Sequence, residues 1–188
     1  MTAFDIYWSD KHDIWNIIWL PLVFLTNIYL LAVWNQTAET AFVTVFLLYL
    51  VLDFIWLLVK PCSVSTPKIM LLHHCVTILG VSFIPYLDNE MKYIICLATL
   101  VEFNTWVRLL KKLANNHIYL DITFVVSWFF LRCLIGPYIQ LIIAKKCYNE
   151  FNTVNATIFA VGLVLNGLSV KWTFDLVAVI RKRYFSNK

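Results

Sequence analysis

The chain has 188 residues, of which 61% are hydrophobic and only 14% charged, and its formal net charge is +4. Its mean hydropathy of +0.76 is too high for a soluble domain, whose surface needs more polar residues. The composition therefore predicts an integral membrane protein. Nothing in the modest positive charge indicates nucleic-acid binding.

Six segments are long and apolar enough to cross a bilayer as helices, and short polar or proline-containing linkers separate them. We therefore predict an all-α integral membrane protein with six transmembrane helices packed as a bundle. The predicted spans are about 14–34, 41–59, 68–87, 92–110, 118–143 and 154–180. Around them we expect a tail at 1–13, a six-span domain at 14–183 and a basic tail end at 184–188.

Positively charged residues near the ends of the spans predict the orientation. Ten lysine and arginine residues fall on the side of the N-terminus and three on the other side, so both termini are expected in the cytoplasm. The sequons at Asn35 and Asn155 then lie on the lumenal side, close to the membrane. The ten are Lys11, Lys60, Lys68, Arg108, Lys111, Lys112, Arg181, Lys182, Arg183 and Lys188; the three are Lys92, Lys145 and Lys146.

Spans 2 to 6 all carry polar groups in the half that this orientation places toward the cytoplasm. Such groups are expensive inside a membrane and usually face the bundle interior or a water-filled cavity. Because five helices bring them to one depth, we predict a functional site there. In chain order these residues are Asp53, His73, His74, Glu102, Asn104, Thr105, Arg108, Asp121, Arg132, Asn166, Ser169, Lys171, Trp172 and Asp175, and Trp128 lies on one helical stripe with Arg132.

The paired histidines of "KIMLLHHCVTILG" are the main candidates for chemistry. Adjacent side chains diverge by about 100° around a helix, so His73 and His74 suit two roles, one toward a substrate and one toward a supporting partner. Either could act as a general base or an acyl acceptor, and the Thr77 hydroxyl could reach either ring. The alternatives are interhelical hydrogen bonds and a metal site. Four histidines cannot supply a membrane di-iron cluster, and His12 and His117 are expected in or beside loops, so no metal is predicted.

The remaining candidates each have a structural alternative. Asp53 and Glu102 could orient an imidazole, or they could form ion pairs with Arg108 or Arg132. Arg108 could extend to the membrane surface, whereas Arg132 is deeper and could bind a lipid phosphate. Asn104 falls in the same polar half, while Asn166 and Trp172 could serve packing alone.

The paired-histidine helix resembles that of the TLC-domain (TRAM/Lag/CLN8) family. Three further elements match in order, namely an Asp late in the preceding span ("LYLVLDFIW"), a Glu-containing element in the next span ("LVEFNTWVRLL") and an Asn-then-Trp final span ("VLNGLSVKW"). The resemblance covers about residues 41–183. It implies a six-helix bundle in the endoplasmic reticulum or a related endomembrane, enclosing a lipid-accessible cavity.

The best-known enzymes of that family, the ceramide synthases, transfer a fatty acyl group from acyl-CoA to a sphingoid-base amine. The resemblance therefore implies catalytic roles for His73 and His74, with Asp53 or Glu102 as their partner. One departure is that "TLVEFNTWV" lacks the further His-Asp and second Asp of the ceramide synthases. The chain thus resembles the members of the family that are not ceramide synthases.

The first hypothesis for the function is a lipid acyltransferase. Catalysis is assigned to His73, His74, Asp53 and Glu102, and substrate binding to Thr77, Asn104, Arg108, Trp128, Arg132, Asn166 and Trp172. The expected co-substrate is acyl-CoA, and no bound cofactor is expected. The expected acceptor is a sphingoid base or a lysolipid. A homodimer is possible. The alternative is a non-catalytic protein of lipid binding, homeostasis or trafficking.

Overall fold

In the computed structural model of this chain, residues 3–114 and 117–185 are described, and within these ranges the secondary structure is helical throughout, without strands. The end of the predicted basic tail, 186–188, lies outside the described residues. The helices are α1 (Ala3–Val33), α2 (Gln36–Val59), α3 (Pro67–Ser82), α4 (Asn89–Thr99), α5 (Val101–Leu113), α6 (Ile118–Trp128), α7 (Gly136–Asn149) and α8 (Thr153–Phe185). A π-helical segment, Phe129–Ile135, joins α6 to α7, and short 3₁₀ turns occupy Pro61–Ser63 and Ile84–Tyr86.

These helices form six spans, which confirms the predicted all-α, six-span architecture. The spans are Asp10–Val33, Gln36–Val59, Pro67–Tyr86, Asn89–Leu113, Ile118–Asn149 and Thr153–Lys182. Their contacts close a ring in the order 1, 2, 3, 6, 5, 4, because α3 packs on α8 and α5 packs on both α1 and α6. The space between spans 3, 4, 5 and 6 is therefore surrounded by helices.

The packing follows the rules of a membrane interior. Many large apolar side chains point outward and are well exposed in the isolated chain, as expected of a lipid-facing surface. Helices are then held together by close contacts and by polar ties between them. Asn27 of α1 illustrates such a tie, since its amide donates to the Cys96 carbonyl at 2.9 Å and to the Thr99 hydroxyl at 2.8 Å.

Side-chain caps fix two helix starts at one end of the bundle. The Asn35 carbonyl oxygen accepts from the Ala38 N–H at 2.8 Å at the start of α2. Asp88, between spans 3 and 4, accepts from the Met91 N–H at 2.9 Å and so caps α4. This backbone hydrogen bond and the neighbouring Lys146 ammonium lower the pKa of the Asp88 carboxyl from its ordinary value.

The first helix begins earlier than the predicted span. α1 runs without interruption from Ala3, so residues 3–13, predicted as a tail, are helical. His12 was expected in or beside a loop; that prediction was wrong, because His12 lies inside α1 and is buried. The cytoplasmic location of residues 1–13 stays a prediction.

Candidate functional site

A cavity lies within the ring, mainly between spans 3, 4, 5 and 6. Its volume is about 120 Å³. The lining is mostly aliphatic, with Val81, Ile139, Ile143, Ile158 and Val161 among the buried residues. Its polar lining includes His73, Glu102, Arg132 and Ser169, which come from spans 3, 4, 5 and 6. The arrangement is an apolar chamber with a charged group of side chains toward the end of the bundle that carries Lys60, Lys68, Lys111 and Lys112, called the basic end below.

His73 and Glu102 form the acid–base pair of this cavity. His73 Nε2 lies 3.7 Å from Glu102 Oε1, and both side chains are about nine-tenths buried. The other ring nitrogen, Nδ1, is buried with no hydrogen-bond partner. If Nε2 carries the proton and faces the carboxylate, Nδ1 keeps its lone pair, and the imidazole is then arranged as a base.

Arg132 is the cation of the cavity. Its guanidinium carbon lies 4.9 Å from the Trp128 ring centroid and 5.4 Å from that of Trp172, so the side chain is held by two cation–π contacts. The two terminal nitrogens donate to Ser169 Oγ at 3.3 Å and Thr105 Oγ1 at 3.5 Å. The third nitrogen, Nε, is buried and has no hydrogen-bond partner, so one charge-bearing donor is unused.

The local backbone explains where Arg132 lies. It sits in the middle of the π-helical segment, which ends where the Gly136 N–H bonds to the Leu131 carbonyl five residues earlier. Pro137 follows directly, has no N–H of its own, and would crowd the carbonyl of residue 133 in a regular helix. Such wide turns are frequent at functional sites.

His74 belongs to a different cluster from His73. Its Nε2 lies 2.8 Å from Asp53 Oδ2, a close ion-pair contact without hydrogen-bond alignment. The other Asp53 oxygen is 2.8 Å from His12 Nε2 and also accepts from the Asn16 amide at 3.3 Å. Tyr49 completes the cluster, because its hydroxyl donates to the side-chain oxygen Oδ1 of Asn16 at 2.6 Å. One buried carboxylate thus ties spans 1, 2 and 3 together.

Comparison with known proteins gives the family. The family model of the TLC domain matches residues 8–178, nearly the whole chain. The chain belongs to the TLC-domain family. Neither a curated protein nor a solved structure matches it. Together with the six spans, the match makes it a multi-pass membrane protein of a lipid-related family.

In this TLC-domain protein, the four predicted catalytic residues lie in two separate groups. His73 and Glu102 line the cavity, whereas His74 and Asp53 are not among its lining residues and pair with each other. The rings of His73 and His74 are 5.5 Å apart by centroid, and they face different partners, as the 100° divergence predicts. Asp53 and Glu102 do not form the ion pairs with arginine that were considered as an alternative. Asp53 pairs with two histidines instead, and Glu102 lies beside His73.

The predicted binding residues fall into several environments. Thr77 lines the cavity, but its hydroxyl donates to the His73 backbone carbonyl at 2.8 Å instead of to either ring. Asn166 also lines the cavity. Trp172 meets the His73 ring edge-on at 5.5 Å between centroids, and Trp128 donates from its indole N–H to Thr173. These two tryptophans position His73 and Arg132 without lining the cavity themselves.

Two further residues that were predicted to bind substrate, Asn104 and Arg108, do not line the cavity either. Asn104 is completely buried between helices, where its amide donates to the Phe124 carbonyl and to Ser127 Oγ, so it ties α5 to α6. Arg108 is exposed and does not line the cavity, which agrees with the alternative of a residue reaching toward the membrane surface. Neither residue is placed to touch a molecule inside the chamber.

Sequence reasoning missed several residues that matter here. His12 was missed because the predicted first span began only at residue 14, and Asn16, inside that span, was not singled out, although their i, i+4 spacing on an apolar helix was a usable signal. Gln140 lines the cavity but was not predicted, because a single amide in a long apolar span is not a specific signal of a site. Thr105 and Ser169, which hold Arg132, were placed in the polar half of their spans but were not predicted to take part in the site.

Proposed function

We propose that this TLC-domain protein is an intramembrane lipid acyltransferase, which moves a fatty acyl group from acyl-CoA to the amine or hydroxyl of a lipid. The observation that supports this most directly is that two residues of the cavity lining each have one polar group without a partner. His73 Nδ1 and Arg132 Nε are both buried without partners, and both residues line the same apolar chamber. A base and a cationic donor are the two groups that acyl transfer requires.

In the proposed reaction, His73 is the general base. Its Nδ1 takes the proton of the acceptor hydroxyl or neutral amine as the oxygen or nitrogen attacks the thioester carbonyl carbon. Glu102 lies at Nε2, where it holds the ring and stabilises the imidazolium that forms. The 3.7 Å separation is longer than a hydrogen bond, and such contacts tighten when substrate is bound.

Arg132 is the proposed oxyanion donor. The carbonyl oxygen becomes negative in the tetrahedral intermediate, and a fixed guanidinium in a dry site stabilises that charge. The carbon–sulfur bond then breaks, CoA leaves as the thiolate, and the proton on His73 is returned to the thiolate or to water. The acyl group ends in an ester or amide bond to the lipid.

The proposed location and orientation follow from the basic end. We place it in the cytoplasm, where the water-soluble CoA moiety can approach Lys68, which is exposed. Lys111 is already paired with Asp121 and Lys112 with Asp13, so these two lysines contribute less to CoA binding than the sequence indicates. The membrane is proposed to be the endoplasmic reticulum or a related endomembrane, and the acceptor a sphingoid base or a lysolipid.

The test is turnover by protein purified in nanodiscs, supplied with acyl-CoA and a panel of sphingoid bases and lysolipids, with products identified by mass spectrometry. His73→Gln is expected to lower the rate by about 10²- to 10⁴-fold, because it removes the base but keeps much of the side chain's volume. His117→Gln is the matched control, since His117 is an exposed histidine away from the cavity, and its rate should equal that of the wild type. Absence of product across the panel, or full activity in His73→Gln, contradicts the proposal.

A second function, lipid binding without reaction, is favoured by the mostly aliphatic lining with one cation. In that case Arg132 would hold a lipid headgroup and His73 would be dispensable. Arg132→Gln would then reduce the amount of lipid that copurifies, whereas His73→Gln would leave it unchanged and no acceptor would yield product.

A further inference from the structure

Two carboxamides interrupt the aliphatic part of the cavity, further from the basic end than Arg132. Gln140 of α7 is only 9% exposed, and Asn166 of α8 faces it across the lining. The Asn166 amide donates to Gln140 Oε1 at 3.4 Å. Burying an amide in a hydrocarbon environment costs free energy unless its polar atoms are hydrogen-bonded. Two amides among isoleucine and valine side chains therefore indicate a function for them.

The hydrogen-bond inventory of the pair shows unused capacity. Gln140 Nε2 donates to the Phe159 carbonyl at 3.2 Å, which uses one of its two N–H groups. Asn166 Nδ2 uses both of its own, toward Gly162 O at 2.9 Å and toward Gln140. Among the described residues, the second Gln140 N–H and the Asn166 Oδ1 have no partner. A hydroxyl can satisfy both, because it accepts one hydrogen bond and donates another.

Two glycines keep the space that the amides occupy. A Cβ on Gly162 would collide with Gln140 Oε1, and a Cβ on Gly136 would lie 3.1 Å from Asn166 Oδ1. Any larger residue at 162 would therefore displace the Gln140 carboxamide. The two glycines therefore leave the room that the two amide side chains occupy.

The depth of the pair sets which part of a lipid it would meet. Ser169, which binds Arg132, follows Asn166 by three residues of α8 and Gly162, which adjoins Gln140, by seven, so the pair lies about 5 to 10 Å from Ser169 along the helix. A lipid whose reacting carbonyl lies at His73 and Arg132 would thus bring the middle of its hydrocarbon chain to the amides.

We infer that Gln140 and Asn166 form a second polar subsite, which binds a hydroxyl group in the middle of the hydrocarbon chain of the bound lipid. This inference rests on the proposed function, in that it takes the cavity to hold the chain of a fatty acyl substrate. A site that hydrogen-bonds a substrate hydroxyl discriminates against the analogue that lacks it, since the polar groups are then left unpaired. The substrate class is therefore a fatty acyl group hydroxylated at mid-chain.

The test is competitive displacement of a fluorescent fatty acid from the purified protein in detergent. The competitors are 10-hydroxyoctadecanoic acid, its isomer with the hydroxyl at carbon 17, and octadecanoic acid. Comparison of the two isomers cancels differences in partitioning into micelles. The wild type is expected to bind the 10-hydroxy acid about ten-fold more tightly than the 17-hydroxy isomer, corresponding to one net hydrogen bond.

Two variants test the assignment to the amides. Gln140→Leu removes the polar group, and Gly162→Ala keeps it but forces it out of place; both should abolish the isomer preference. Gln36→Leu is the matched control, because Gln36 is an exposed glutamine at the start of α2, outside this cavity, and it should keep the preference.

Equal binding of the two isomers by the wild type overturns the inference, as does a preference that survives in both Gln140→Leu and Gly162→Ala. If Gln140→Leu does not fold, Gly162→Ala alone decides. Because binding is measured without turnover, an isomer preference in a protein that forms no product would refute acyl transfer and retain the subsite.

Discussion

At the scale of single residues, the feature that organises this protein is one carboxylate. Asp53 is 1% exposed and contacts His12 from span 1 and His74 from span 3, so it holds the helix that carries the paired histidines. His73, the neighbour of His74, is then turned to the cavity. The double histidine therefore works as one structural and one cavity-lining imidazole.

Asp53→Asn is expected to destabilise the protein by about 3 kcal/mol, because it leaves buried histidines without their charged partner. The measurement is the free energy of unfolding in detergent, followed by the loss of helical circular dichroism. Asp175→Asn removes an exposed i, i+4 pair with Lys171 and should cost less than about 1 kcal/mol. Equal stability of the two variants would show that the Asp53 cluster does not hold the fold.

Asp88 gives a prediction on pH. Its pKa is lowered in the folded protein by the Met91 N–H and the Lys146 ammonium, so its stabilising effect is present above the pKa of the unfolded chain and is lost as the pH falls through the folded value. Asp88→Ala should cost about 1 kcal/mol near neutral pH, through loss of the helix cap. Asp88→Asn keeps a capping oxygen and should reduce the acid sensitivity of unfolding; unchanged acid sensitivity in both variants would contradict this.

At the scale of helices, the π-helical segment Phe129–Ile135 decides the direction of Arg132. A regular helix through the same residues would turn the guanidinium away from Trp128, Trp172 or both. Because Pro137 cannot donate the hydrogen bond that a regular helix needs, the chain widens its turn just before it. The position of Arg132, the proposed oxyanion donor, thus depends on Pro137, which has no functional group of its own.

Pro137→Ala is expected to let this segment relax toward a regular helix and to lower acyl transfer by about ten-fold to a hundred-fold, because Arg132 moves away from the reacting carbonyl. Stability should be unchanged or higher, since a backbone donor is restored. Pro21→Ala is the control, because Pro21 lies inside α1 and away from the cavity, and it should leave turnover unchanged. Wild-type turnover in Pro137→Ala would mean that the π-helical segment does not position Arg132.

At the scale of the whole molecule, the ring of spans in the order 1, 2, 3, 6, 5, 4 creates the chamber. Span 1 contributes no cavity-lining residue and instead supports spans 2 and 4 from outside. In this ring, the charged part of the cavity and the exposed Lys68 lie toward the same end of the bundle, as the proposed approach of CoA requires.

The orientation predicts that epitope tags at the N- and C-termini are both accessible to antibody when only the plasma membrane is permeabilised. The excess of positive charge at the basic end is the physical reason. A tag in the turn between α2 and α3 serves as a control on the same side, and one between α7 and α8 as a control on the opposite side. Protection of either terminus under these conditions would overturn the orientation.

The sequence alone determined the class of this protein and most of its site. Mean hydropathy and span length dictate six helices, because the bilayer fixes how many apolar residues a crossing needs. The rarity of ionisable groups in such helices made His73, Glu102 and Arg132 visible as candidates, and the helical repeat separated His73 from His74 in direction.

Only the tertiary structure decided which partner each group meets. Pairing of Asp53 with His12 joins residues 41 positions apart, and the ring order that puts α3 against α8 follows from side-chain fit between helices, which no single helix records. The same holds for Gln140 and Asn166, which are 26 residues apart and meet only because glycines on the facing helices leave room. Local periodicity fixes the direction of a side chain from its own helix, whereas the packing of the helices fixes what it touches.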